Sequence, residues 1–270
     1  MNISRTHLDK VIIILGGGPG LSPDYLSPFH QHLSLTDYGI VTYAPLLSLT
    51  ERSKIGLSNG VDELIEIVES FDQKEVTLLG HSFGGMIVLE YLMTHKVHAS
   101  IKKIILNNPV ADIKKYNSNL RVLMNNLPEK SKSRLFELEA ERHFGEEFWG
   151  IFMTDFSARH ACIVSPVPED LQESLSKVDI SLYQYFFGEN PFDIGGRLAD
   201  WKFTKPKEAF DKPILLVGGN SDTVFEEDIH HLQKKLKNAS TFMTPQSAHY
   251  PFWENPEAYF PQIKAFLDAD

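Results

Sequence analysis

Gly80-His81-Ser82-Phe83-Gly84 is the stretch that decides the fold of this chain. It follows a short apolar run at residues 76–79 and precedes a longer one that begins at residue 86. This order predicts a buried strand, a tight turn and a helix. The glycines allow the close backbone approach of a G-x-S-x-G turn, which leaves the serine hydroxyl clear of the main chain. The stretch therefore predicts a nucleophilic serine, Ser82, with a structural turn serine as the alternative.

Strand and helix signals alternate on both sides of this turn. The predicted strands are short apolar runs, many of them β-branched, at residues 11–15, 39–43, 76–79, 101–106, 213–217 and 240–243. Apolar residues at helical spacing predict helices at residues 61–71, 83–95, 226–236 and 256–267. Continuous apolar strands that alternate with helices form a mostly parallel sheet that is covered on both faces. The predicted fold class is therefore α/β, and the few residues ahead of residue 11 leave little room for a further strand.

The alternation stops between residues 112 and 205. Aromatic-rich helical segments dominate this stretch, at residues 120–127, 131–144, 146–152 and 182–187. We expect a helical cap at residues 112–205, inserted between a first core part at residues 1–111 and a second at residues 206–270. The alternative is a set of additional surface helices on one sheet.

Composition excludes several classes of partner. Lysine and arginine number 26 against 36 aspartates and glutamates, which gives a formal charge of −10. An acidic surface repels nucleic acid and anionic membranes. The single cysteine, Cys162, excludes an intrachain disulfide, and no apolar run is long enough for a membrane span or a signal-peptide core. We expect a cytoplasmic protein that binds neither nucleic acid nor membranes; composition does not indicate its oligomeric state.

A nucleophilic serine needs a base within hydrogen-bond reach, and that base needs an orienting acceptor. After a strand-turn-helix serine the expected chain order is acid, then histidine. Asp222 follows the predicted strand at residues 213–217, and His249 lies between the last predicted strand and the last helix. We predict Ser82 as nucleophile, His249 as base and Asp222 as its acceptor. A turn or cap aspartate and a surface-loop histidine are the alternatives.

Acyl transfer also needs donors for an oxyanion. The sequence GGGPG at residues 16–20 follows the first predicted core strand, where one donor is expected. We predict the amides of Gly18 and Phe83 as the donors. A phosphate-binding loop is the rival interpretation, but its glycine spacings are absent. No cluster has zinc-ligand spacing, so we predict neither a metal nor a cofactor.

These motifs together resemble the α/β-hydrolase fold and, within it, the proline iminopeptidase family of serine peptidases. Residues 16–20 resemble that family's His-Gly-Gly-Pro-Gly loop, with Gly16 in place of the histidine. SAHYPFWENP at residues 247–256 is close to its histidine loop, and this match is the most specific. RHAC at residues 159–162 and the stretch 188–201 are similar to its R-H-x-C and G-P-x-E-F-x-x-x-G-x-L-x-x-W segments. The resemblance covers nearly the whole chain and implies a hydrolase core with a helical cap.

The chain departs from this family where substrate is chosen. The family's aminopeptidases hold the substrate amine with carboxylates, and two of those positions are Pro191 and Thr223 in this sequence. Residues 43–47 also replace the family's D-Q-R-G-x-G-x-S stretch. A buried amine without a paired charge is costly. Either Glu189, two residues from Pro191, substitutes as the anchor, or the pocket accepts an uncharged acyl group.

The leading hypothesis is a serine hydrolase that cleaves a small carboxylic ester or amide through an acyl-enzyme. A proline iminopeptidase-type aminopeptidase with a short-peptide substrate is the alternative. A non-catalytic binder of small ligands, or lyase or cofactor-free oxygenase chemistry, are further ones. Glu189, Trp149 and Phe187 are the substrate-binding candidates, with ordinary packing inside the cap as the alternative for the aromatic residues.

Overall fold

The computed structural model describes residues 1–46 and 55–269, and within them a seven-stranded sheet forms the centre of the molecule. The strands are β1 (Asn2–Ser4), β2 (Lys10–Leu15), β3 (Tyr38–Tyr43), β4 (Glu75–His81), β5 (Ile101–Asn107), β6 (Ile214–Gly219) and β7 (Ala239–Thr244). Their order across the sheet is β1-β3-β2-β4-β5-β6-β7. β1 runs antiparallel to β3, and every other neighbouring pair is parallel. The α/β prediction is confirmed.

Strand β1 is the one element of the sheet that the sequence does not indicate. It has three residues, of which Asn2 and Ile3 are exposed, so it carries no buried apolar run. A strand this short at the sheet edge needs only backbone pairing, which it finds with Ile40, Val41 and Thr42 of β3. The residues ahead of β2, which were expected to leave little room for a further strand, thus hold one of three residues.

Helices cover both faces of the sheet. They are α1 (Ser27–His32), α2 (Leu57–Glu69), α3 (Phe83–Thr94), α10 (Glu226–Gln233), α11 (Pro251–Glu254) and α12 (Pro256–Asp268). The continuous apolar run of β2 follows from this double cover. Val11, Ile13 and Leu15 pack on the face that holds α2 and α3, whereas Ile12 and Ile14 pack with α1 and α12 on the other face.

The segment between β5 and β6 is helical. It contains α4 (Ile113–Asn125), α5 (Glu129–Ala140), α6 (Glu146–Ile151), a π-helical turn (Phe152–Ser157), α7 (Ala158–His160), α8 (Glu169–Ser176) and α9 (Ile180–Phe187). It has an apolar cluster of its own, which includes Leu135, Phe148, Phe156 and Phe192. An isolated antiparallel bridge joins Asp112 to Lys202, so the segment enters and leaves the core side by side.

Helix starts differ from the predictions where the first turn is polar. α2 begins four residues earlier than predicted, because the Asn59 side chain accepts the Gly56 N–H at 3.0 Å and closes a polar first turn. α4 begins at Ile113, directly after Asp112, whose carboxylate accepts the Lys115 N–H at 3.1 Å. Periodicity of apolar residues does not mark such turns.

The order of the strands determines where a crevice opens along the sheet. The chain passes from β2 to β3 on one side and then returns to β4 on the other side of β2. Loops after β2 and β4 therefore leave the sheet in opposite directions, and a crevice opens at their carboxyl ends. The glycine loop (residues 16–20) and the serine turn (residues 80–84) are these two loops.

Candidate active site

The serine turn has the strained geometry that exposes a hydroxyl. Ser82 lies between β4 and α3 with φ 52° and ψ −115°, a conformation that side chains rarely adopt. Its N–H donates to the Asn107 carbonyl oxygen at 2.9 Å, which holds the turn against β5. A Cβ atom at Gly84 would collide with the Leu15 carbonyl oxygen, so only glycine fits there. The turn presents Ser82 at the carboxyl edge of the sheet.

Asp222 and His249 meet at this same edge. Asp222 follows β6 and His249 follows β7, and the Nδ1 of the imidazole lies 2.8 Å from Asp222 Oδ1. The Asp222 side chain is 0% exposed and that of His249 13%. The loops that hold His249 and Ser82 adjoin each other, because His81, the residue before the serine, donates a hydrogen bond from its Nε2 to the His249 carbonyl oxygen.

The Asp222 carboxylate is fully occupied by donors. Oδ1 accepts from His249, from the Thr223 N–H at 2.6 Å and from the Thr223 hydroxyl at 3.0 Å. Oδ2 accepts from Asn108 Nδ2 at 2.5 Å. Burial opposes ionisation of this carboxyl, but the His249 charge and these hydrogen bonds hold the pKa of Asp222 below its usual value. Asp222 is therefore an anion at neutral pH.

The same contact acts on His249 in the opposite sense. Burial acts to lower the pKa of the imidazole, but the charge of Asp222 and its hydrogen bond outweigh burial and raise the pKa of His249 above its usual value. The bond at Nδ1 leaves Nε2 as the nitrogen that can accept a proton in the neutral ring. This arrangement suits a general base that becomes a stabilised cation after proton transfer.

The glycine loop lies directly beside the serine. A Cβ atom at Gly17 would lie 3.1 Å from Ser82 Cβ, and Gly18 has φ 122°, a conformation that favours glycine. The Gly17 N–H donates to the Tyr25 hydroxyl at 2.5 Å and is therefore occupied. Among residues 1–46 and 55–269, no hydrogen bond engages the N–H of Gly18 or of Phe83. These two amides are the donors predicted from the sequence.

Comparison with known proteins agrees with this geometry. A family model described as alpha/beta hydrolase fold matches residues 10–256, which is most of the chain. The chain belongs to the α/β-hydrolase fold family. A proline iminopeptidase from Saccharolobus solfataricus is 26% identical over 269 residues, covering 96% of this chain and 85% of the relative.

Solved structures show the same fold for this α/β-hydrolase. The crystal structure of VinJ superposes with a TM-score of 0.85 at 22% identity and covers 98% of this chain and 91% of its own. A proline iminopeptidase structure from Mycobacterium smegmatis gives a TM-score of 0.82 at 20% identity, with 98% and 90% covered.

Sequence reasoning missed Asn108, which secures the acid of this α/β-hydrolase. Asn108 is fully buried with φ 49°, and its Nδ2 donates both to Asp222 and to the Ala248 carbonyl oxygen, the latter at 3.1 Å. Asparagine is enriched in this left-handed conformation. An Asn-Pro pair directly after a buried strand was the available signal, since it marks a turn at the carboxyl edge of the sheet.

Sequence reasoning also missed Glu254, which holds the histidine loop (residues 245–250). Its Oε2 accepts the N–H groups of Ala248 at 2.6 Å and Tyr250 at 3.2 Å, on either side of the histidine. Its Oε1 accepts the Ile163 N–H of the cap segment at 2.9 Å. Burial raises the pKa of Glu254 to about 7, although these N–H groups oppose the shift. The signal was the close match of residues 247–256 to a known histidine loop.

The predicted substrate-binding residues occupy three different environments. The Phe187 ring centroid lies 6.2 Å from that of Phe83, so Phe187 borders the serine turn. Trp149 packs on Phe148 and Phe152 within the apolar cluster of the cap. The Glu189 side chain is 60% exposed, and its nearest ionic partner is Arg142 at 3.8 Å. The structure thus places Phe187 against the residue that follows Ser82, Trp149 within an apolar cluster of the helical segment, and Glu189 at the surface.

The two positions where the related family carries carboxylates hold uncharged residues, a buried proline and a hydrogen-bonded threonine. Pro191 is buried in the cap. The Thr223 hydroxyl donates its one proton to Asp222, so the Tyr116 hydroxyl, 3.1 Å away, is the donor to Thr223. Burial raises the pKa of Tyr116, which keeps it a neutral donor. The position after Asp222 is therefore part of a hydroxyl network and carries no charge.

Within residues 1–46 and 55–269, no group of three or more His, Cys, Asp or Glu side chains is arranged to hold a metal ion. In that same part, no helix is both long and apolar enough to cross a bilayer. Leu47, the last residue of the stretch that replaces the related family's D-Q-R-G segment, lies outside the described residues.

Proposed function

We propose that this α/β-hydrolase is a serine hydrolase that cleaves a small carboxylic ester or amide with an uncharged acyl group. Relatives over nearly the full chain are named proline iminopeptidase, and solved structures with this fold include esterases. The observation that carries the proposal is the buried 2.8 Å bond between His249 Nδ1 and Asp222 Oδ1 beside the strained turn of Ser82.

In the proposed mechanism, the Ser82 hydroxyl oxygen attacks the substrate carbonyl carbon while His249 Nε2 takes its proton. Asp222 holds the imidazole orientation and stabilises the imidazolium. The N–H groups of Phe83 and Gly18 donate to the oxyanion of the tetrahedral intermediate. The intermediate collapses as His249 protonates the leaving group. A water molecule then attacks the acyl carbon while His249 Nε2 takes its proton. The second tetrahedral intermediate collapses as His249 returns that proton to Ser82 Oγ, which releases the carboxylic acid and restores Ser82.

The uncharged acyl group is inferred from the environment of the site. An N-terminal amine in a largely apolar pocket needs a carboxylate partner. Thr223 and Pro191 supply none, and Glu189 is solvent-exposed beside Arg142. Glu139, which contacts the neighbouring Asn190, is already paired with Arg121. The Phe187 ring presents an apolar surface next to Phe83.

A proline iminopeptidase-type aminopeptidase is the second candidate, because the curated relatives carry that name over nearly the full chain. A short-chain aryl ester and a fluorogenic proline amide, assayed side by side with the Ser82→Ala variant as blank, separate the two. We expect ester turnover that Ser82→Ala abolishes, with proline-amide turnover at least about a hundredfold lower, as expected for a lost charge partner. Efficient proline-amide turnover would establish the second candidate instead.

We also infer a division into core and cap, a cytoplasmic location and the absence of nucleic-acid partners. The Asp112–Lys202 bridge supports a division into a core at residues 1–111 and 206–270 and a cap at residues 112–205. A cytoplasmic location and the absence of nucleic-acid partners rest on composition alone.

A further inference from the structure

A chain of hydrogen bonds runs beneath Ser82 from the glycine loop to the histidine loop. The Gly17 N–H lies 2.5 Å from the Tyr25 hydroxyl oxygen. The same oxygen lies 2.8 Å from His81 Nδ1, and His81 Nε2 lies 2.8 Å from the His249 carbonyl oxygen. The proposed mechanism assigns no role to Tyr25 or to the His81 side chain, although both are buried against the reacting groups.

The partners determine the direction of each bond in this chain. A carbonyl oxygen only accepts, so His81 Nε2 carries the proton that it donates to His249. Burial lowers the pKa of His81 to about 3, so the ring is neutral and its Nδ1 accepts the Tyr25 proton. The lone pairs of the Tyr25 oxygen then face the Gly17 N–H. A single protonation pattern satisfies every member, which makes the connection rigid.

Tyr25 is itself fixed from several sides. Its N–H donates to Ser174 Oγ of α8 at 2.9 Å, and its carbonyl oxygen accepts from Trp253 Nε1 at 2.8 Å. Its ring packs edge-on against Tyr250 with the centroids 5.8 Å apart. The hydroxyl group therefore has a defined position relative to both loops.

We propose that Tyr25 and His81 are positioning residues that hold the glycine loop and the His249 backbone in register with Ser82; this inference rests on the hydrolase function proposed above. The two loops follow β2 and β7, which are not neighbours in the sheet. Small displacements of an oxyanion donor or a base lower the rate of the chemical step strongly. The hydrogen bonds through Tyr25 and His81 set the distance between the glycine loop and the His249 backbone.

Tyr25→Phe is the central test, because it removes one oxygen atom and leaves the ring. Tyr38→Phe is its matched control. Tyr38 packs in the same apolar cluster, and its hydroxyl donates to the Leu267 carbonyl oxygen at 3.0 Å, at the opposite edge of the sheet. We expect Tyr25→Phe to lower kcat for an aryl ester about tenfold, because the Gly17 N–H and His81 Nδ1 lose the shared partner that sets their positions, with KM changed less than twofold. Tyr38→Phe keeps the wild-type kcat at a comparable loss of thermal midpoint.

Two substitutions of His81 separate its hydrogen bond to Tyr25 from its hydrogen bond to His249. His81→Asn places a polar atom near Nδ1 and gives up the bond to His249, whereas His81→Gln reaches toward His249 and gives up the partner of Tyr25. With His81→Asn, we expect the acid limb of the kcat/KM profile to move to lower pH, because a less restrained His249 loses part of its contact with Asp222. His81→Gln lowers kcat and keeps the midpoint of that limb.

The outcomes distinguish the inference from the function on which it rests. If Tyr25→Phe keeps the wild-type kcat and loses thermal midpoint as Tyr38→Phe does, the positioning role is overturned. The proposed hydrolase function is not affected by that result. Ester turnover that survives Ser82→Ala overturns the function itself. If the His81 variants do not fold, the kcat of Tyr25→Phe against Tyr38→Phe decides the question alone.

Discussion

The two walls of the active site are built on different principles. On the core side, Asp222 accepts four hydrogen bonds and the histidine loop is tied to Glu254 and His81. On the cap side, aromatic rings pack against one another, and Phe187 borders the serine turn. Polar geometry on the core side fixes where a proton moves. In the proposed function, shape and the lack of charge on the cap side select the acyl group.

The largest expected effect comes from breaking the core side. Asp222→Asn keeps the size of the side chain and removes the charge that orients His249, so we expect kcat for an aryl ester to fall about 10⁴-fold. The activity that remains should persist to lower pH, because the charge that raises the pKa of His249 is gone. Asp228→Asn, in the first turn of α10, is the control. An Asp222→Asn variant within tenfold of wild type would show that Asp222 is not the acid.

A smaller and different effect is expected on the cap side. Phe187→Ala removes an apolar surface beside Phe83, and we expect KM to rise about tenfold, since burial of an aromatic side chain contributes about 1.5–3 kcal/mol, with kcat little changed. Trp149→Ala, inside the cap cluster, serves as the comparison and should lower the thermal midpoint without this KM effect. If Phe187→Ala lowers kcat and leaves KM unchanged, the division between the two walls is wrong.

The smallest effect concerns stability and pH at Glu254. The pKa of Glu254 is raised to about 7 in the fold, whereas an exposed glutamate ionises near 4.5. The folded protein thus holds this proton more tightly, and the stability it contributes is complete below pH 4.5 and is lost as pH rises through about 7.

Thermal unfolding at pH 5, 6, 7 and 8 measures this contribution. We expect the decline of the wild-type midpoint over this range to be shallower in Glu254→Gln. Glu257→Gln, which changes an exposed residue of α12, keeps the wild-type slope. Equal slopes in all three proteins would place the Glu254 carboxylate in water-like surroundings and contradict its burial.

Local patterns in the sequence predict the sheet, the serine turn, the glycine loop and the places of Asp222 and His249. Each of these features depends on a short stretch of sequence, such as a buried strand followed by a turn residue. Asn108 and Tyr25 were not predicted, because their partners are distant in the chain: Asn108 hydrogen-bonds to Asp222, and Tyr25 hydrogen-bonds to His81.

Residues 112–205 were predictable as largely helical, but the packing of their side chains was not. The aromatic content of residues 112–205 indicates packing, but the same residues pack equally well with one another or against substrate. The structure separates these cases for Phe187 and Trp149 only through their ring contacts. Glu189 could not be placed from sequence, because proximity in the chain to Pro191 does not determine where a side chain points.

Labelling with a fluorophosphonate tests the central claim most directly. The reagent reacts with a serine only when a base activates it and donors stabilise the resulting oxyanion. The account predicts a single adduct per chain, located at Ser82 by peptide mass mapping, absent in Ser82→Ala and slowed strongly in Asp222→Asn. An unlabelled Ser82 in folded protein, or an adduct at another serine with ester turnover retained in Ser82→Ala, would contradict it.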